Sequence, residues 1–230
     1  MISRPDSKSP FGVYLHFKKD EVDGMCEDEL RRSGLLPNSP SPINIELFIE
    51  RHLGCALDYG DFGEGVLGVT AFDSTGKPTA VGLSAALDNG TSTGQHRLRS
   101  TAAHEAGHCI LHPVLFMQAL SQSLPFENVD PKARRILCRD RDFSGATTRG
   151  RWWEFQANLA IGGFLVPKKL GLIVLSPFLR EAGLLGLQIL PAENRSNAAA
   201  ALSEAFDVSK QVSQIRISEW FPEEAPNGLL

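Results

Sequence analysis

Between Ser100 and His112 the chain reads STAAHEAGHCILH, with three of its six histidines at four-residue intervals and a glutamate directly after the first. The flanks are small and apolar, so this is a helix built to be buried. It must carry imidazoles and a carboxylate into the interior, where polar groups need partners. At 1.5 Å and 100° per residue, His104 and His108 stand about 6 Å apart along the axis and about 40° apart around it. Both rings can therefore reach one ion with bonds of about 2.0–2.1 Å. Glu105 lies about 100° around from His104, which lets its carboxylate sit beside the ion without ligating it, the general-base position of H-E-x-x-H. His112 is about 12 Å along the axis from His104, too far to share that ion easily, and suits a supporting role behind a ligand. Gly107 costs about 1 kcal/mol relative to Ala inside a helix, which points to close packing or to room beside the metal.

Such an ion needs a third protein ligand. No further histidine follows in the H-x-x-G-x-x-H form, so a distant carboxylate is expected. Glu127, Asp130, Asp140 and Asp142 fall in a polar segment where charges are easily solvated. Glu154 interrupts the apolar run RWWEFQANLAIGGFLVP, where an ionised carboxylate is costly unless something compensates it. A zinc ion would do so; an arginine partner such as Arg149 or Arg151 is the alternative. Asn158, one turn after Glu154, could orient it or bond across to the histidine helix.

The rest of the chain supplies the setting. Residues 1–10 are polar and read as loose, residues 20–34 as a short acidic helix, and LLPNSPSP as a connector. SPINIELFIERHLGC has helical spacing, with Pro42 suited to the first helical position and Gly54 to the stop. CALDY, GVLGVTAF and TAVGLSAAL, with DSTGKP between the last two, read as a small, largely antiparallel sheet. Ser92 and Gln95 have capping-box spacing ahead of the histidine helix, and Pro113 disfavours a helical residue before it. WWEFQANLAIGGFLVP is the most apolar helical run, ending at Pro167, and the Leu/Ala-rich remainder reads as helical. The expected fold is α+β: a small, mainly antiparallel sheet packed on helices that carry HExxH and the distant glutamate, with a helical C-terminal tail. The corresponding divisions are 1–40 as an N-terminal extension, 41–170 as the core and 171–230 as the tail.

A net charge of −4 argues against general affinity for nucleic acid or anionic membrane. No apolar run reaches the roughly 18 residues of a span, and MISRPDSKSPFG has no apolar region of a secretory leader. Cys26, Cys55, Cys109 and Cys138 are scattered, a pattern of free buried thiols in a reducing compartment rather than a disulfide framework. A cytoplasmic protein is the expectation.

TAAHEAGHCILH followed by EFQANLAIGGFLVP resembles the ImmA/IrrE family of cytoplasmic zinc metallopeptidases, whose pattern is H-E-x-x-H-x-x-L-H and then E-x-x-A-N-x-x-A-x-x-L-L-x-P. The first half matches at His104, Glu105, His108, Leu111 and His112, and the second at Glu154, Ala157, Asn158, Leu165 and Pro167. The register loosens around Gly162 and Gly163. The resemblance spans roughly residues 41–220 and implies a zincin-like core and a gluzincin-like site: Zn2+ on His104, His108 and Glu154, with Glu105 activating water. It also implies a specific protein substrate, an HTH-type transcriptional repressor, and a place in the stress response.

Candidates for oxyanion support are His112, Arg97, Arg99 and Tyr59, although the arginines also suit ion pairs and Tyr59 suits packing. TAVGLSAAL could form a sheet edge that pairs with substrate, or be an ordinary interior strand. LSEAFDVSKQVSQIRI has helix-turn-helix shape with Ser209 as a cap. Lys210 and Arg216 are the only cations on its second helix, a poor provision for DNA. The Arg-rich stretch 132–151 reads as a solvated loop or a cover over the site. Two further readings stay open: a catalytically silent zinc-binding regulator that holds a protein partner, and a DNA-binding adaptor with a vestigial metal motif.

Overall fold

The computed structural model describes residues 2–7, 9, 11–122, 135–139, 151–182 and 186–222. Its architecture is α+β. The central unit is a four-stranded sheet of order β3-β5-β4-β6, formed by β3 (Ala56–Gly60), β5 (Pro78–Ser84), β4 (Val66–Phe72) and β6 (Arg135–Arg139). Strands β4–β5 and β4–β6 are antiparallel, but β3 runs parallel to β5. TAVGLSAAL thus supplies an interior strand, and the edges among the described residues are β3 and β6.

Helix α3 (Ser92–Leu111) packs beneath β4, and α5 (Trp152–Leu165) packs on α3. The helix starts one residue earlier than the Ser92/Gln95 spacing suggests: Thr91 is the cap, its hydroxyl accepting from the Gly94 amide at 3.0 Å. The contact between α3 and α5 is made of small residues. A Cβ on Gly107 would lie 2.7 Å from the Ala160 Cβ and 3.2 Å from the Ala157 Cα. Ala102, Ala103 and Ala106 on α3 are fully buried. The helix propensity lost at Gly107 therefore lets two backbones approach closely enough for their polar side chains to meet.

Around this pair the chain closes one core that runs from Phe11 to Ile217. Helix α1 (Lys19–Arg32) buries Val22, Cys26 and Leu30 against α5. Gly163 makes room there, since a Cβ would meet Cys26 Sγ at 2.9 Å. The first residues are ordered rather than loose: β1 (Ile2–Pro5) pairs with β2 (Val13–His16), and Phe11 packs edge-on against Trp153 at 5.2 Å. Helix α2 begins at Ile45, capped by Asn44, so Pro42 lies before the helix rather than at its first position; it widens into a π-helical turn over Phe48–His52 before Gly54, whose φ of +65° ends it. Helix α4 (Pro113–Gln122) follows α3 directly, and α6 (Lys168–Leu175) follows Pro167. The Leu-rich remainder is not all helical, because β7 (Arg180–Ala182) and β8 (Leu187–Ile189) form a hairpin before α7 (Arg195–Phe206) and α8 (Lys210–Trp220).

Helices α7 and α8 pack on one another across a short turn, with Ser209 capping α8 by accepting from the Val212 amide at 3.2 Å. Arg216 is buried at 2% exposure. It forks onto Asp23 of α1 at 3.0 Å and Glu219 at 2.7 Å, and Gly162 of α5 leaves the space for it. Among the described residues no single helix is long and apolar enough to cross a membrane.

Two stability predictions follow from these contacts. Gly107→Ala gains propensity of up to about 1 kcal/mol but overpacks a contact that has no flexible neighbour, a cost of about 1–3 kcal/mol. Gly24 in α1 has nothing within 4 Å of a Cβ, so Gly24→Ala keeps the whole gain. Urea unfolding should show the first variant less stable than wild type and the second more stable. In the turn after α7, Asp207 at φ +50° accepts from His96 at 3.1 Å and Arg99 at 2.6 Å. The His96 hydrogen bond is the largest cause that lowers its pKa. A depressed folded pKa stabilises at neutral pH, and that contribution is lost as the pH falls through it. Asp207→Asn tolerates the left-handed backbone and removes the charge. Because Asp207 is well exposed, the loss at pH 7 should stay below about 1 kcal/mol, and thermal melts should show the difference fading below about pH 4.

Candidate metal centre

Helix α3 delivers His104, Glu105 and His108 at 0% exposure, and α5 delivers Glu154 at 2%. His104 Nε2 and His108 Nε2 lie 3.0 Å apart, and Glu154 Oε2 lies 3.1 Å from the first and 3.6 Å from the second. Ligands bonded at about 2.0–2.1 Å in a tetrahedron stand about 3.3 Å from one another, so the three atoms have the mutual spacing of one ion's coordination sphere. Burial works against charge on Glu154, but the imidazoles of His108 and His104 more than offset it and hold its carboxyl below the usual carboxylate range. For His104, burial works against the charged form, and the Glu154 hydrogen bond and charge prevail and raise its pKa. The compensation that the apolar helix demanded for Glu154 comes from imidazole.

The outward-facing ring atoms are tied down in sequence. Gln156 Nε2 donates to the Leu15 carbonyl of β2 at 2.5 Å, which turns its Oε1 toward His112 Nε2 at 3.1 Å. His112 is neutral, its pKa lowered by burial and by His108. With its Nε2–H donating to Gln156, its Nδ1 must accept, and His108 Nδ1 donates to it at 2.9 Å. That tautomer leaves the His108 Nε2 lone pair facing Glu154 and His104, where an ion would sit. Asn158 Oδ1 performs the same service for His104, accepting from Nδ1 at 2.9 Å. His112 and Asn158 thus sit behind the two inner histidines. Gln156 is a link that sequence reasoning missed; its position beside Glu154 in a buried helix was the available signal.

Glu105 is held by β4. Thr70 Oγ1 donates to its Oε2 at 2.5 Å, while Oε1 is buried with no hydrogen-bond partner among the described residues. Gly68 is required here, because any Cβ would collide with this carboxylate. Burial, the largest influence, pushes the Glu105 carboxyl up to about 7, against the opposing pull of His104, Thr70 and the nearby Cys138 thiol, which stands outside good hydrogen-bond geometry to Oε1. A buried carboxyl near neutrality with an unsatisfied oxygen is suited to taking up and giving back a proton.

Cys138 is the second residue that sequence reasoning missed as part of the site. It is fully buried on β6, opposite Gly68 of β4. Its sulfur, a His104 ring nitrogen and a Glu154 oxygen lie within 4.8 Å of one another. The buried residues could therefore hold a metal ion, whose donors are imidazole, carboxylate and, within reach, thiol. No spacing in the sequence connects position 138 to 104 or 154; only the sheet register does.

The remaining candidates stand elsewhere. Arg99 is committed to Asp207 and the Ile43 carbonyl. Tyr59 is on β3, at the opposite sheet edge from Cys138, where burial and Glu46 push its hydroxyl up to about 12. Arg97 borders a cleft of about 1200 Å³ between α3, α5 and α8 that also touches Leu67, Thr101, Phe155, Asn158 and Ile215. Asn158 is common to this cleft and to the hydrogen bond on His104. Glu127, Asp130, Asp140, Asp142, Arg149 and most of the Arg-rich stretch lie outside the described residues. Compared with known proteins, the chain matches no protein-family model and no curated protein.

Replacing Gln156 by Leu removes the acceptor that fixes the His112 and His108 tautomers while leaving every inner donor in place. Loss of an outer partner of this kind weakens metal binding by about 10–100-fold. Competition with a chelating indicator should read that loss for Zn2+ in Gln156→Leu against wild type.

Proposed function

We propose that the protein is a zinc-dependent endopeptidase with a zincin-like core, acting on a specific protein substrate. The observation that carries this reading is the placement of Glu105: a fully buried carboxyl with one unsatisfied oxygen, beside three donors spaced for a single ion. Two imidazoles and a carboxylate suit zinc. A zinc ion held by His104, His108 and Glu154 would acidify water and polarise a scissile carbonyl. Glu105 is the group placed to take the water's proton and pass it to the leaving amine, and Thr70 keeps its other oxygen oriented. Gln156, His112 and Asn158 keep both imidazoles presenting Nε2.

The cleft that reaches Asn158 has half-exposed Phe155 and Ile215 on its walls, which supports a polypeptide as substrate. The resemblance to the ImmA/IrrE pattern supports an HTH-type repressor as that substrate, a role in transcriptional control and a cytoplasmic setting. DNA as a partner is disfavoured, since Arg216 is spent on Asp23 and Glu219 and leaves Lys210 as the exposed cation of α8.

One observation favours a second reading. All four of His104, Glu105, His108 and Glu154 are 0–2% exposed, as in a site that holds metal for structure. On that reading the protein is a zinc-binding regulator that captures its partner without cutting it. Glu105→Gln separates the two. It should retain about one zinc per chain, and terminal-peptide mapping of repressors incubated with the metal-loaded protein should show new N-termini with the unsubstituted enzyme and a rate about 10²–10⁴ lower with the variant. Identical maps with and without the substitution would sink the peptidase reading.

A further inference from the structure

We propose that Cys138 is a fourth metal ligand, which closes the site and keeps the peptidase latent until the thiolate leaves. This rests on the metallopeptidase reading and concerns its regulation. Catalytic zinc sites keep one position open for water, whereas sites with four protein donors are closed and structural. His104, His108 and Glu154 account for three donors. The Cys138 sulfur lies within 4.8 Å of donor atoms of two of them, His104 and Glu154, and thiolate is a strong zinc donor.

The backbone gives a separate indication. Strand β6 pairs with β4 as Thr70↔Ile136, Val69↔Leu137 and Gly68↔Cys138, but the next pair is Val66↔Arg139. Leu67 is skipped, so the ladder is irregular at the residue beside Cys138. Irregularities of this kind bend a strand and re-aim a side chain, and they are common next to active sites. Gly68, opposite Cys138, has no side chain to come between the sulfur and Glu105 Oε1, and the Cys138 thiol is near enough to act on the Glu105 carboxyl. The thiol therefore occupies the neighbourhood where the general base would meet water.

Closure is balanced by a proton. The Cys138 S–H bond breaks, a metal–sulfur bond forms, and the proton goes to solvent. Opening reverses this: the metal–sulfur bond breaks, the sulfur takes back a proton, and water enters. Among the described residues strand β6 is an edge of the sheet, paired with β4 and packed on α3, so an outward movement of this one short strand would withdraw the thiol and leave both helices in place. A substrate or partner that pairs with this edge would open the site by the same displacement that seats it.

Cobalt alone is the probe. Metal-free protein titrated with Co2+ should develop the intense near-ultraviolet band of a thiolate–cobalt bond, at one cobalt per chain, and Cys138→Ala should bind cobalt without that band. Zinc should be held more than about tenfold less tightly by Cys138→Ala, a larger effect than loss of an outer partner at its mildest. Cleavage by Cys138→Ala should be at least about tenfold faster than by wild type, and Glu105→Gln in that background should abolish it. Cobalt bound by wild type without the sulfur band overturns the closure and leaves the peptidase reading standing. The band present but no gain in cleavage by Cys138→Ala overturns the latency. No cobalt or zinc bound by wild type overturns the metal site itself, and this inference with it.

Discussion

The structure depends on how closely α3 and α5 approach. Glu154 can meet His104 and His108 at 3.1 and 3.6 Å only because Gly107 lies against Ala157 and Ala160 with no side chain between them. Wider separation would leave a carboxylate and two imidazoles buried without one another, a cost of several kcal/mol per uncompensated charge. The small residues and the polar residues of the two helices are thus one device. The first set permits the contact and the second makes it specific.

What surrounds that contact supports it from three sides. Strand β4 holds Glu105 through Thr70 and vacates space for it at Gly68. The carbonyl of Leu15 on β2 begins the chain of hydrogen bonds that ends at His108. Helix α8 is fastened by Arg216 to Asp23 and to the carbonyl of Val166 at the end of α5. The first and last segments of the chain therefore serve the centre, one by fixing a tautomer and the other by bracing the helix that carries Glu154. Gly162 and Gly163, where the likeness to the ImmA/IrrE pattern loosens, are the places where Arg216 and Cys26 fit against α5.

The chemistry that such a centre can perform follows from which atoms are satisfied. His104, His108 and Glu154 have partners chiefly in each other, an arrangement that an ion would take over. Glu105 is different: one oxygen is held and the other is not. An unsatisfied carboxylate oxygen in a dry interior is costly and is commonly retained for a purpose, which is the reason the peptidase reading is preferred to a purely structural metal. The nearness of Cys138 adds a thiol to the imidazole and carboxylate donors gathered at the same centre.

Much of the site was legible in the amino-acid sequence because its information is local. Helical geometry alone placed His104, His108 and Glu105 on one arc and set His112 beyond reach, and a carboxylate stranded in an apolar run marked Glu154. The glycine within α3 announced a close contact, and Ser209 announced the start of α8. Local pattern could not supply the register between distant strands. Cys138 reaches the centre because β6 pairs with β4 opposite Gly68, and no periodicity near position 138 encodes that. The place of β5, edge or interior, stayed open for the same reason, and the parallel pairing of β3, the ordered first hairpin and the hairpin of β7 and β8 in a Leu-rich stretch escaped. Spacing within a helix is fixed by the bond geometry of a few residues, whereas strand order and the partners of Gln156 are decided by which distant surfaces bury together.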